Sequence, residues 1–138
     1  MDLGMPSLIG LGLALGVFVL GRVVGLDRDR AFYTTALIVI AALYDLFAVM
    51  GGSTKALILE SLVGCVFLAA AVLGFRRNLW IVAAGLFGHG VMDFFHGHLI
   101  SNPGVPRWWP AFCGAYDVVA AGCLAWLLQR SKTKARLT

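Results

Sequence analysis

Residues 55–75 read KALILESLVGCVFLAAAVLGF, an almost uninterrupted apolar run that carries one acid, Glu60, close to its start. A helix of about 20 such residues spans the roughly 30 Å hydrocarbon core of a bilayer. Four further apolar runs of similar length flank this one, and short polar connections separate them. The sequence therefore predicts an all-α integral membrane protein, a compact bundle of five transmembrane helices.

The composition of the whole chain agrees with this interpretation. Of its 138 residues, 60% are hydrophobic and 13% are charged, and its mean hydropathy is +0.88, far from the balance of a soluble globular domain. We predict one five-helix domain over residues 1–138 in the cell membrane, a multi-pass protein with membrane lipid as its surroundings. The predicted spans lie near residues 6–25, 31–50, 55–75, 79–99 and 110–129.

The basic residues predict the orientation of the bundle, because Lys and Arg are retained on the cytoplasmic side. Only Lys55 and Arg107 fall on the opposite side, so we expect the N-terminus outside and the C-terminus in the cytoplasm. These residues follow the topology and form no aromatic-interleaved patch, so no nucleic-acid partner is expected. The residues that share the cytoplasmic side are Arg22, Arg28, Arg30, Arg76, Arg77, Arg130, Lys132, Lys134 and Arg136.

Every predicted span after the first contains one acidic residue. An ionisable group inside a bilayer costs at least about 2.5 kcal/mol on insertion scales, so such residues are candidates for function. Each acid lies five to seven residues from the outer end of its helix, which predicts one layer about 8–10 Å below the outer boundary. No Lys or Arg occupies the middle of a span to balance these charges. The four acids are Asp45, Glu60, Asp93 and Asp117.

The fourth predicted helix adds histidines to this layer. His89, Asp93 and His96 fall within a sector of about 60° on one helix face, whereas His98 points to nearly the opposite side. Because His89 and His96 are about 10 Å apart along the helix axis, one small ion is not expected to bind both. Two ions bridged by Asp93 would fit this spacing, as in the dinuclear sites of helix bundles.

Several buried carboxylates cannot all stay ionised beside one another in a low-dielectric layer. Metal ions or shared protons could neutralise these carboxylates, and the imidazoles favour metal. A simpler interpretation of the same residues is a set of interhelical hydrogen bonds. We predict a divalent metal site with one or two ions of Zn, Fe or Mn, and Asp93, Glu60 and Asp117 as the candidate catalytic groups. The predicted ligands are His89, Asp93, His96, Glu60, Asp45 and Asp117.

Some further residues near this layer have simpler interpretations. Cys113 lies one turn before Asp117 and is a candidate soft ligand, but its small neighbours favour a packing role. No base at a defined spacing identifies Ser61 as a nucleophile. Tyr44 and Tyr116 each precede an aspartate, and adjacent helical residues point about 100° apart. We therefore expect each tyrosine to support a neighbouring group and not its own aspartate.

The stretches HGVMDFFHGHLISNPGVPRWWP (89–110) and AYDVVAAGCLAW (115–126) resemble a family of small bacterial multi-pass membrane proteins of unknown function. That family's pattern is HxxWDxxHH, a short loop with NP and further prolines, and an aspartate early in the final helix. Met92 stands in place of the tryptophan and Gly97 separates the last two histidines, so the resemblance does not extend to His98. It covers about a third of the chain and implies no activity. The matching residues are His89, Asp93, His96, Asn102, Pro103, Pro106 and Asp117.

Three functions fit these features. The first is a membrane-embedded metal-dependent enzyme acting on a lipid or lipid-like substrate, with hydrolysis slightly preferred over oxidation. In style, though not in spacing, the site is similar to that of the seven-helix ceramidase and progestin-receptor-like hydrolases, which hold zinc among their helices. The second is a proton or metal-ion transporter; the inner halves of the helices are uncharged, so a homo-oligomer would have to provide the path. The third is a cofactor-binding accessory subunit of a membrane complex.

Overall fold

The computed structural model describes residues 3–137 and the side chains of residues 3–132. Within that range the chain is helical and contains no β-strand, and all five long helices are long and apolar enough to cross a membrane, which confirms that part of the prediction. The side chains of Lys134 and Arg136, used above to predict orientation, lie outside the described residues. The helices are α1 (Gly4–Val24), α2 (Ala31–Met50), α3 (Thr54–Arg76), α4 (Leu79–Leu99) and α5 (Trp109–Leu137).

Local signals in the sequence determine where several helices begin and end. The Ser53 hydroxyl accepts a hydrogen bond from the Ala56 amide at the start of α3, and the Asn78 side chain does the same for the Trp80 amide at the start of α4. Such caps satisfy amide groups that have no partner within the helix. Helix α1 ends at Gly25, whose φ of 87° is a left-handed conformation that favours glycine.

The connections between helices alternate between two ends of the bundle. At one end the Arg30 guanidinium donates hydrogen bonds of 2.8–3.2 Å to the last carbonyls of α3. At the other end Gly51 lies so close to Gly104 that a Cβ atom on it would collide with the backbone. The connections at this end are residues 51–53 and 100–108, and we call it the proline-loop end.

Helices α4 and α5 approach each other closely at two glycines. A Cβ atom on Gly90 would lie 3.0 Å from the Gly114 carbonyl oxygen, which is tighter than ordinary packing permits. Small residues allow membrane helices to approach in this way. The crossing brings His89 and Asp93 of α4 opposite the turn of α5 that carries Cys113 and Asp117.

The five helices are buried to different extents. Only 17% of the apolar stretch is buried in α1 and in α3, against 44% in α2 and in α4. Large apolar side chains such as Leu8 and Leu62 are exposed on the two less buried helices, as a lipid-facing surface requires. Buried groups are therefore concentrated on α2, α4 and α5, together with Glu60 of α3.

Candidate metal centre

A buried group of four candidate ligands lies between α4 and α5. It consists of His89 and Asp93, one turn apart on α4, and Cys113 and Asp117, one turn apart on α5. One ligand atom from each residue lies within 4.8 Å of the others, and none of the four residues is more than 2% exposed. We call these residues the four-ligand group.

Hydrogen bonds within the four-ligand group leave two of its oxygen atoms without a partner. His89 Nδ1 is 2.7 Å from Asp117 Oδ2 and 3.6 Å from Asp93 Oδ2. The Cys113 thiol donates a longer bond, of 3.9 Å, to Asp117 Oδ2. Asp93 Oδ2 and Asp117 Oδ1 are buried and have no hydrogen-bond donor among the described residues. Because a buried acceptor without a partner is costly, these two oxygens are suited to bind a cation or to carry a proton.

Tyr44 of α2 lies between the two buried histidines of α4. Its hydroxyl donates a 2.7 Å hydrogen bond to Asp93 Oδ1, which confirms that it supports a neighbouring acid and not Asp45. Its ring stacks on the imidazole of His96 with centroids 4.1 Å apart and an interplanar angle of 19°, and lies 5.9 Å from the imidazole of His89. The Tyr44 ring therefore lies between the hydrogen-bond partners of His89 and those of His96.

A second buried polar group lies on the proline-loop side of Tyr44. His96 Nε2 is 2.7 Å from Glu60 Oε1, and the Asn102 amide donates to the same oxygen at 2.9 Å and to the Tyr44 carbonyl at 3.1 Å. No fully buried side-chain oxygen or nitrogen of Glu60, His96 or Asn102 lacks a partner. The fully buried polar atoms of these three residues therefore all have hydrogen-bond partners. We call Glu60, His96 and Asn102 the second polar group.

The two polar groups together are short of positive charge. Glu60, Asp93 and Asp117 are three buried acids, and His89 and His96 are the only basic side chains paired with them in the described part of the chain. Even with both imidazoles protonated, three carboxylates would leave one uncompensated negative charge. A buried charge without compensation is strongly unfavourable, so a cation or additional protons must belong to this network.

The structure does not bring Asp45 and His98 into either group. Asp45 Oδ1 accepts a 2.7 Å hydrogen bond from Ser61 Oγ, and both residues line a groove of about 270 Å³ between α2 and α3. His98 is exposed. Since Tyr44 faces the bundle interior, the next residue on the helix has to point elsewhere. The predicted layer thus joins three acids in one network and leaves the fourth outside it.

The geometry also departs from the expected pair of ions bridged by Asp93. Asp93 presents one oxygen to the four-ligand group and gives the other to Tyr44, while His96 is engaged with Glu60. Among the described residues, only the four-ligand group has three or more ligand atoms within reach of a single ion. Cys113, for which packing was expected, belongs to that group; its spacing of one turn from Asp117 was the signal in the sequence.

A cavity of about 330 Å³ opens at the proline-loop end and reaches the second polar group. We call it the vestibule. No member of the four-ligand group lines it. His96 and Asn102 line it and bond to Glu60, and the ring of Tyr44, which stacks on His96, lies between this second group and Asp93. The lining residues are His96, Gly97, Ile100, Ser101, Asn102, Val105, Pro106, Arg107 and Pro110.

Comparisons of the chain with protein-family models, with curated proteins and with solved structures found no match. The resemblance to a family of small bacterial membrane proteins therefore stays a prediction. Any functional assignment has to begin from the buried polar groups themselves.

Proposed function

We propose that this chain is a membrane-embedded metal-dependent enzyme that acts on a lipid or lipid-like substrate, and that the four-ligand group holds one divalent ion. The observation that supports this most strongly is the pair of buried carboxylate oxygens, on Asp93 and Asp117, that have no donor within the described residues. A divalent cation bound beside His89 satisfies both oxygens and removes the charge deficit of the network.

Charge balance selects three of the four candidate ligands. A divalent ion with neutral His89 and the carboxylates of Asp93 and Asp117 forms a neutral set, which a low-dielectric interior favours. A thiolate at Cys113 would add an uncompensated negative charge. We therefore assign Cys113 as a neutral thiol that donates to Asp117, as in the observed 3.9 Å contact. Ion binding replaces the hydrogen bond between His89 and Asp117.

Three protein ligands are typical of catalytic zinc sites, which keep one coordination position open, whereas structural sites use four. One imidazole and two carboxylates suit zinc, iron and manganese. A bound divalent ion supplies a Lewis acid that polarises a carbonyl or phosphoryl oxygen and promotes ionisation of a water molecule. Hydrolysis of an ester, amide or phosphoester bond is the preferred reaction, and oxidation is the alternative with a redox-active metal.

The remaining polar residues have roles that follow from their contacts. Tyr44 fixes the orientation of Asp93 through its hydroxyl. Glu60 holds the imidazole of His96 beside the vestibule, where a carboxylate-oriented, protonated imidazole can donate a proton to the leaving group of a substrate. The same proposal puts the vestibule on the outer side of the cell membrane and the C-terminus in the cytoplasm, following the distribution of basic residues.

Ion transport is a second candidate, and one observation favours it. Two buried polar groups follow one another from the vestibule inward, Glu60 with His96 and then Asp93 with Tyr44, which resembles the entrance of an ion pathway. The buried apolar cluster that includes Leu37, Val82 and Leu86 provides no polar continuation within the described chain. A homo-oligomer would have to supply the remaining path, so the enzyme is the better-supported proposal.

Lipid analysis tests the enzyme proposal. Membranes containing the wild-type chain, the ligand variant Asp117→Asn or the control variant His98→Gln are loaded with zinc, iron or manganese and their lipids are compared by mass spectrometry. We expect one lipid class to be converted to a product with wild type and His98→Gln but not with Asp117→Asn. Identical lipid profiles in all samples, together with metal flux into proteoliposomes, would favour the transporter instead.

A further inference from the structure

Arg107 is a cation without a partner at the wall of the vestibule. It is exposed and lines the cavity, and the described residues provide it with no hydrogen bond or ion pair. No carboxylate lines the vestibule. The nearest acid of the network, Glu60, is only 2% exposed and is engaged by His96 and Asn102. The vestibule therefore presents positive charge to whatever enters it.

Two prolines and a backbone hydrogen bond restrain the loop that carries Arg107. Pro106 precedes it and Pro110 lies in the first turn of α5, and the Trp109 amide donates a hydrogen bond of 3.0 Å to the Pro106 carbonyl. Trp108, the next residue, is 45% exposed. Tryptophan is enriched where a membrane meets water, which is also the depth of lipid phosphate groups. An exposed tryptophan beside Arg107 therefore favours a position of the guanidinium near lipid phosphates.

We infer that the vestibule binds a phosphate group through the guanidinium of Arg107, and that the substrate is a phosphate-bearing lipid. The assignment of the ligand as substrate rests on the proposed function, whereas phosphate binding itself does not. Guanidinium groups bind two phosphate oxygens at once, and the exposed hydroxyl of Ser101 on the same wall is a further donor. A volume of about 330 Å³ is at the small end of ligand pockets, so it suits a headgroup, and the acyl chains stay in the bilayer.

Titration of the purified full chain in a non-ionic detergent tests this inference. The two probes are a short-chain phosphatidic acid and inorganic phosphate, each followed by calorimetry. We expect saturable binding of one phosphatidic acid per chain, weakened at least about tenfold by Arg107→Gln and less by Arg107→Lys, which keeps the charge but loses the two-pronged contact. Lys55→Gln is the matched control, because Lys55 is the other cation at the proline-loop end and does not line the vestibule.

The possible results distinguish a lipid headgroup from inorganic phosphate, and they test the phosphate site and the metal centre independently. Binding of the lipid but not of inorganic phosphate supports a lipid headgroup; equal binding of both overturns the lipid assignment. Equal affinities in Arg107→Gln and Lys55→Gln, or no saturable binding of either probe, overturn the phosphate site. Metal content is measured on the same samples: metal without phosphate binding contradicts only this inference, and phosphate binding without metal contradicts only the proposed metal centre.

Discussion

His89 on α4 and Asp117 on α5 are joined by a contact of 2.7 Å between Nδ1 and Oδ2, and neither residue is more than 1% exposed. This contact exists because the two helices meet at Gly90 and Gly114, where no side chain keeps the backbones apart. The arrangement of the four-ligand group therefore depends on helix packing as well as on the ligands themselves.

Replacing Gly90 tests that dependence. A Cβ atom there would meet Val118 at 2.9 Å and Gly114 at 3.0 Å, so Gly90→Ala has to move α4 and α5 apart. We expect a loss of about 1–3 kcal/mol of stability from this overpacking, together with weaker metal binding. Thermal unfolding and metal retention in detergent measure both effects. Gly97→Ala on the same helix has open space around its Cβ and should lower neither stability nor metal binding. Equal stability and equal metal retention in the two variants would contradict the packing argument.

Tyr44 offers a test of how the ligands are oriented. Tyr44→Phe removes the hydrogen bond to Asp93 Oδ1 and keeps the ring, so metal affinity should fall by about 10–100-fold, as for other groups that orient metal ligands. Competition with a chelator measures the affinity. Tyr33→Phe, on the same helix, removes a buried hydroxyl that has no partner among the described residues and should leave the metal affinity unchanged. Equal affinities in the two variants would show that Tyr44 does not orient Asp93.

Cobalt substitution tests whether Cys113 is a ligand. Charge balance predicts a neutral thiol, so the cobalt-loaded protein should lack a thiolate-to-metal charge-transfer band, and Cys113→Ala should bind the same amount of cobalt. The absorption spectrum measures this directly. A strong thiolate band that disappears in Cys113→Ala would instead indicate four protein ligands, which is typical of a structural site.

Replacing Glu60 tests whether lipid turnover can be lost while the metal is retained. Because Glu60 contacts His96 and not the four-ligand group, Glu60→Gln should retain the metal while lipid turnover falls by about 10²–10⁴-fold, the usual contribution of an acid–base group. Asp45→Asn is the control, since Asp45 pairs with Ser61 outside both groups. Loss of the metal from Glu60→Gln would mean that the second polar group belongs to the ion site.

The sequence predicts the position of a residue along its helix better than the direction in which its side chain points. Five long apolar helices follow from hydropathy, and the position of each acid along its helix follows from counting residues. The rotation of a helix about its axis depends on packing, which explains why Tyr44 faces inward while Asp45 does not. Cys113 shows the same limit: small neighbours in the sequence suggest packing, and only the approach of Gly90 to Gly114 brings its thiol beside Asp117.

Metal analysis combined with anomalous scattering tests whether the four-ligand group holds one divalent ion. Wild type, Asp117→Asn and His98→Asn are purified without chelator, loaded with zinc, iron or manganese, and analysed for metal per chain. We expect one ion per chain in wild type and His98→Asn, little in Asp117→Asn, and an anomalous peak within bonding distance of His89 Nδ1 and the carboxylates of Asp93 and Asp117. A wild-type chain that takes up none of these metals, or a peak at Glu60 and His96 instead, would contradict this expectation.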